Sequence, residues 1–310
     1  MDAPSRYHVI HETVYRYESP VSISRQQLHL TPRECPWQTC LDHRIAIDPV
    51  PGFDEARPDC FGNPVHQFAI EFPHGSLLVR AESRIEVRQH RPAMPFSDTL
   101  AWEKARDALA YGALPIHLDA SVYLFESPYT RIKREFAAYA VPSFPSGRPL
   151  LEGVQALMAR IFKDFRFDAK ATTVATPVLT VLQEKRGVCQ DFAHLMLSCL
   201  RSLGLSARYV SGYLLTRPPP GKPRMVGADA SHAWISVFCP EGDDGLWVDF
   251  DPTNNLLPDT EHITLAWGRD FGDVSPLRGV ILGGDAHTPE VAVTVTPYEE
   301  LTPGSADSAP

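Results

Sequence analysis

Cys189 is the residue of this 310-residue chain best placed to act as a nucleophile. Phe192, Leu195, Met196, Cys199, Leu200 and Leu203 recur at the spacing of one helix face, and that helix stops at Gly204. Cys189 lies three residues before Phe192, so it extends the stripe into the first turn. A thiol there sits in the field of unpaired backbone N–H groups, which favours thiolate over thiol. Read alone, a cysteine on an apolar stripe is a small buried hydrophobe, since free Cys is among the most buried residue types. A base and an acid downstream change that reading. An acyl-transfer cysteine needs one group to take its proton and another to fix the tautomer of that base.

On a strand over 231–238, His232, Trp234, Ser236 and Phe238 share one face, so His232 begins the strand with its imidazole on a defined side. His194 fits less well, because five residues from Cys189 put it about 140° round the helix. The acid comes from a strand over 246–251, on which Trp247, Asp249 and Asp251 point one way, so periodicity leaves two aspartates. Hairpin register separates them. Asp251 opposite His232 leaves Glu241-Gly242 as a two-residue turn with glycine available for positive φ. Asp249 opposite His232 would leave no turn residues at all. The expected constellation is therefore Cys189 as nucleophile, His232 as base and Asp251 as orienter, with Asp249 one pleat away in a supporting place.

Four stretches together carry a family resemblance: Gly187-Val188-Cys189-Gln190-Asp191-Phe192-Ala193, residues 200–213 (LRSLGLSARYVSGY), Ser231-His232-Ala233-Trp234, and Trp247-Val248-Asp249-Phe250-Asp251-Pro252-Thr253. In type and order they resemble the core motifs of the transglutaminase-like superfamily, bacterial branch. Residues 7–87 resemble the β-rich domain that precedes the core in those proteins, with Asp59-Cys60-Phe61-Gly62-Asn63 as the most telling run, and Trp267-Gly268-Arg269-Asp270-Phe271-Gly272-Asp273-Val274 is similar too. The resemblance implies an α+β, papain-like core with the cysteine helix packed on an antiparallel sheet. It also implies a cysteine enzyme that attacks an amide carbonyl, of a peptide bond or a glutamine side chain, through a thioester resolved by water or by an amine. The superfamily spans protein cross-linkers, deamidases, peptidases and acetyltransferases, so it implies the chemistry more narrowly than the substrate. The competing class is a non-catalytic protein- or peptide-binding module that keeps the fold, and the three filled chemical positions argue against it.

The elements that must position these residues follow in order. Residues 7–17, 25–30, 41–47, 65–72 and 77–87 alternate with a period of two and are separated by turn signals, which predicts an all-β sandwich or barrel over residues 1–90. After a proline-containing joint at 89–95 the period changes to about 3.6. Helices are expected near 98–111, 131–139, 150–163 and 176–184, then the cysteine helix, then strands at 207–215, 231–238 and 246–251. Further strands at 263–267, 278–282 and 291–296 are assigned to the C-terminal end of a core over 96–300, with a disordered tail at 301–310. Arg217-Pro218-Pro219-Pro220 opens an exposed loop that cannot continue a ladder.

Composition bounds the rest. The 44% hydrophobic and 22% charged content is that of a globular chain, and no apolar run approaches the ~20 residues of a bilayer span. A net charge of -9 argues against nucleic-acid binding, which needs clustered Lys and Arg. The first residues show no apolar leader segment, so a cytoplasmic location is the default expectation. Six cysteines are too sparse for a disulfide scaffold. Cys35, Cys40 and Cys60 lack metal-site spacing, and no acidic run has the calcium-loop pattern, so neither metal nor cofactor is expected. The expected partner is a protein or peptide substrate.

Overall fold

A computed structural model describes residues 3–111, 115–216, 231–242, 244–286 and 288–301. The 217–224 loop and the tail beyond Leu301 lie outside the described residues. The chain opens with β1 (Ser5–Leu28), β2 (Gln38–Asp48), β3 (Phe53–Pro58), β4 (Pro64–Ile70) and β5 (His74–Val87) in one antiparallel sheet of order β2-β5-β1-β4-β3. β1 fuses two expected strands, and the 53–58 strand went unseen in the sequence. Pro20 interrupts the ladder inside β1, and there the strand changes partners: its first half pairs β5 and its second half pairs β4. The sheet curls about that break.

Among the described residues, seven helices and the remaining strands follow: α1 (Trp102–Tyr111), α2 (Pro115–Ser121), α3 (Arg134–Ala140), α4 (Leu150–Asp164), β6 (Arg166–Phe167), α5 (Val178–Glu184), β7 (Arg186–Gly187), α6 (Cys189–Ser202), β8 (Ala207–Leu214), β9 (Ser231–Cys239), β10 (Leu246–Phe250), β11 (His262–Gly268), α7 (Phe271–Val274), β12 (Leu277–Gly283) and β13 (Glu290–Pro297). β10-β9-β8-β11 form an antiparallel sheet, and α6 packs on β8 and β9. β12 and β13, expected at the end of the core, instead pair with β1 and complete the first sheet. The period of two identified them as strands but carried no information on which sheet they join.

α6 was expected to have one apolar face, yet every residue from Asp191 to Arg201 is buried, because α3, α4 and α5 cover the side that the sheet does not. Its polar residues tie down loops instead of meeting water. Ser198 Oγ accepts from the Arg131 N–H (3.2 Å), and Arg201 donates to Thr130 Oγ1 (2.6 Å) and to the carbonyls of Ala207 (2.9 Å) and Arg269 (2.6 Å). A central helix held this way gives its N-terminus a fixed position.

The two sheets share an apolar layer in which Tyr7, Val9, Val293 and Val295 meet Tyr213, Ile263 and Leu265. Two side-chain amides of the first sheet, one at the start of β2 and one in the β3–β4 loop, then cap the open edge of β11. Gln38 donates to the Thr264 carbonyl (2.7 Å) and accepts its N–H (2.8 Å), and Asn63 does the same for Trp267 (2.8 and 2.9 Å). Asp59 orders Asn63 by accepting its backbone and side-chain N–H, both at 2.8 Å. The 59–63 run singled out in the sequence is thus an edge cap, which satisfies backbone groups that would otherwise be free to pair with another chain.

Candidate active site

Cys189 occupies the first turn of α6, after Val188 in extended conformation. Asp191 builds that turn: its Oδ2 accepts from the Val188 N–H (2.8 Å) and from Thr172 Oγ1 (2.6 Å). Gly187 makes the contact possible, since a Cβ there would lie 2.7 Å from the same carboxylate oxygen. The pairing of Gly187 with Asp191 is therefore a steric requirement of the helix start.

His232 begins β9 as expected and is 8% exposed. Its Nε2 lies 2.7 Å from Asp251 Oδ2, which leaves Nδ1 free of that bond, and Cys189 lies near enough to act on the same imidazole. The structure brings Cys189, His232 and Asp251 into one neighbourhood. Burial alone would lower the pKa of His232. The hydrogen bonds to Asp251 and Cys189, with their negative charges, outweigh burial and raise it from 6.5 to about 10.

The register that selected Asp251 is different from the one expected. β10 pairs with β9 so that Asp249 lies opposite Ser236 and Trp247 opposite Phe238, two residues away from the predicted alignment. The turn is not the two-residue Glu241-Gly242. It is a longer loop that uses both Gly242 (φ 64°) and Gly245 (φ 65°). The cross-strand Phe238–Trp247 ring pair, centroids 5.2 Å apart, sets this alignment. A shift of two keeps each residue on its own face, so Asp251 still points toward His232 and reaches it diagonally from just beyond the end of β10.

Asp251 is fully buried and is held by five donors. The Thr253 and Asn254 N–H groups bond Oδ1 (2.9 and 3.2 Å), while His232, Asn254 Nδ2 (2.7 Å) and His262 Nε2 (3.2 Å) converge on Oδ2. Burial would raise its pKa, but the bonds to His232 and His262 hold the carboxyl well below the usual carboxylate range. His262 and Asn254 were missed in the sequence. Asn254 had a signal, because an Asp-Pro-Thr-Asn run after a strand reads as a turn closed on the aspartate. His262 had a fainter one in Gly212. β8 lies between β9 and β11, with Gly212 opposite both His232 and Thr264, and a Cβ there would come within 2.5 Å of the Trp234 ring. The missing side chain lets groups from β11 approach β9.

His194 lies away from this constellation. It stacks on Tyr129 (5.5 Å) and accepts the Phe271 N–H (3.2 Å), and burial lowers its pKa to about 3. Asp249 accepts from the Trp234 indole N–H (3.2 Å) and lies 3.8 Å from His90 Nε2. Among the described residues, His232, Asp251 and His262 are the one group close enough to share a metal ion. Their 2.7 Å contact is a hydrogen bond, shorter than the roughly 3.3 Å edge set by ordinary zinc-ligand distances.

Comparison with known proteins shows the family and the fold. Residues 7–86 match the bacterial transglutaminase-like N-terminal region, and residues 139–252 match the transglutaminase-like superfamily. An uncharacterized protein of Mycobacterium tuberculosis is 41% identical over 298 residues, covering 95% of this chain and 93% of the relative. The chain belongs to the transglutaminase-like superfamily. A Mycobacterium leprae relative is 32% identical over 94% of this chain and 98% of its own length. The protein-glutamine gamma-glutamyltransferase of Pseudomonas aeruginosa is 29% identical over 113 residues, 34% of this chain and 16% of that protein. In three dimensions this transglutaminase-like chain superposes on a candidate cysteine protease from Cytophaga hutchinsonii with a TM-score of 0.71, at 18% identity, over 96% of this chain and 92% of that one. That likeness extends the shared fold across both sheets.

Proposed function

We propose that this member of the superfamily is a cysteine enzyme that cleaves an amide bond in a protein or peptide substrate through a thioester, with Cys189, His232 and Asp251 as its triad. The observation that carries the reading is the buried His232 imidazole bonded to Asp251 at 2.7 Å, with Cys189 near enough at the start of α6 to act on it. His232 with its pKa raised to about 10 is an imidazolium at neutral pH, the partner that a thiolate needs.

The thiolate attacks the carbonyl carbon, and the developing oxyanion forms beside the Cys189 N–H at the start of α6. As the tetrahedral adduct collapses, the carbon–nitrogen bond breaks and the His232 proton passes to the departing amine. Water or a second amine then attacks the thioester, His232 takes its proton, and Cys189 is released. Asp251 keeps the imidazole oriented throughout. The glutamine-transferring activity in the name of the Pseudomonas relative supports a glutamine carboxamide as one substrate to test.

The test is mass spectrometry of a glutamine-containing peptide library incubated with the protein, with and without an added primary amine. Amine adducts at glutamine indicate transfer, glutamate in place of glutamine indicates deamidation, and chain cleavage indicates peptidase action. Each product must disappear in Cys189→Ala. A library returned unchanged, together with a Cys189 that does not react with iodoacetamide near neutral pH, would sink the reading and leave a binding module on this fold.

A further inference from the structure

The sheet face that carries His232 continues to a second cleft. Arg208 and Asp249 both lie opposite Ser236, and Trp247 lies opposite Phe238, so all of them share the His232 face at the far end of the strands. Arg208 is 6% exposed, and its guanidinium is clamped between two indoles, 4.1 Å from the centre of Trp247 and 3.7 Å from that of Trp267. Over it opens a cleft of about 610 Å³, walled by Tyr123, Val122, Phe61 and Arg269, within the size range of small-molecule sites.

A stacked, buried guanidinium is common in protein cores, but this one has a further property. Its Nε has no hydrogen-bond partner among the described residues. Leaving such a donor unsatisfied is costly, and a planar fork of N–H groups is matched best by a carboxylate. We propose that this cleft binds a small monoanionic ligand that presents a carboxylate to Arg208 and an apolar or aromatic body to Trp247, Tyr123 and Phe61.

Charge selects the monoanion. Asp249 lies near enough to act on Arg208, Asp273 pairs with Arg269 at 2.9 Å, and Asp119 stands on the rim. With the cleft close to neutral before a ligand arrives, a phosphate dianion meets repulsion that a single carboxylate avoids. Asp249 accepts from the Trp234 N–H and makes no hydrogen bond to the Arg208 Nε.

Isothermal titration with N-acetylphenylalanine, its carboxamide and phenyl phosphate tests the site, with tryptophan emission as a second readout because Trp247 and Trp267 line the cleft. The carboxylate is expected to quench emission and to bind at least about tenfold more tightly than either analogue. Val122→Trp fills the cleft from an exposed position and is expected to weaken binding by about tenfold or more, as is Arg208→Gln. If Arg208→Gln fails to fold, the carboxamide comparison and Val122→Trp decide alone. Equal binding of carboxylate and carboxamide, preference for the phosphate, no binding at millimolar concentration, or unchanged binding in Val122→Trp would each overturn the proposal.

Discussion

Asp249 and Asp251 lie two residues apart on one face of the core sheet, both buried, and their surroundings have little else in common. Asp251 stands just past the strand end, where the following turn wraps round it and gives it two backbone N–H groups, an amide and two imidazoles. Asp249 lies inside the ladder, where it meets an indole N–H, His90 from the joint between the sheets, and the charge of Arg208. A strand interior fixes a carboxylate among its neighbours. A strand end leaves room for a turn that aims one at a base, and that is the difference between a packing group and a positioning group.

Replacing the proposed nucleophile is expected to give the largest effect on this comparison. Cys189→Ala deletes the sulfur at the start of α6 while changing one half-buried side chain, so turnover should vanish with folding nearly intact, as measured by product formation beside thermal unfolding. Next is Asp251→Asn, which keeps shape but lets the amide present a donor to His232 Nε2. A loss between about 10²-fold, in the general-base range, and about 10⁴-fold, the scale known for serine triads, is expected in kcat/KM. Asp249→Asn should leave kcat/KM within about tenfold and lower stability instead, by about 1–3 kcal/mol, since it weakens a buried polar cluster. If Asp249→Asn is the inactive variant, the contrast between the two aspartates is wrong.

The titration of His232 sharpens the contrast. Its pKa is raised above 6.5, so its contribution to stability is complete below 6.5 and is lost as pH rises through about 10. Asp251 has the opposite sign: its contribution is present above its ordinary 3.8 and is lost only as pH falls toward the depressed value. NMR of the imidazole should therefore show titration near 10 in the wild type, a lower value in Cys189→Ala, and the lowest in Asp251→Asn, where burial is no longer opposed by a carboxylate. A His232 that titrates near 6.5 in all three proteins would separate it from both partners.

The histidine from the neighbouring strand should matter less. His262→Phe keeps a ring at a site 3% exposed but removes one of the donors on Asp251 Oδ2. A bond to a charged group contributes about 1.5–3 kcal/mol, and four donors remain, so a loss near the low end, about tenfold in kcat/KM, is expected. The acid limb of the pH–rate profile should move upward as Asp251 becomes easier to protonate. An unchanged profile would make His262 a packing residue only.

These residues also mark how far the sequence can be read. Cys189, His232 and Asp251 were legible because helix and strand periods assign faces, and a face survives a register error of two. That is why the aspartate that bonds His232 emerged from a hairpin drawn with the wrong turn. The register itself depended on how Phe238 packs on Trp247, which no local pattern encodes. The all-round burial of α6, the attachment of β12 and β13 to the first sheet, and the approach of His262 were hidden for the same reason. Each is set by which elements become neighbours, whereas periodicity reports only which side of an element faces inward.

The smallest predicted effect isolates position along one helix. Cys199 shares the stripe with Cys189 but is fully buried in the core, and burial pushes its thiol far above the usual range, so it stays protonated and shielded. Cys199→Ala removes one small group from a packed interior that includes Leu157 and Phe136. The cost should be about 1 kcal/mol, or about 2–4 °C in Tm, with kcat/KM unchanged and iodoacetamide still labelling Cys189. If Cys199 were labelled in the folded protein as fast as Cys189, exposure and hydrogen bonding at the first turn would not distinguish the two thiols. The claim that the helix start activates the sulfur would then fail even if Cys189→Ala were inactive.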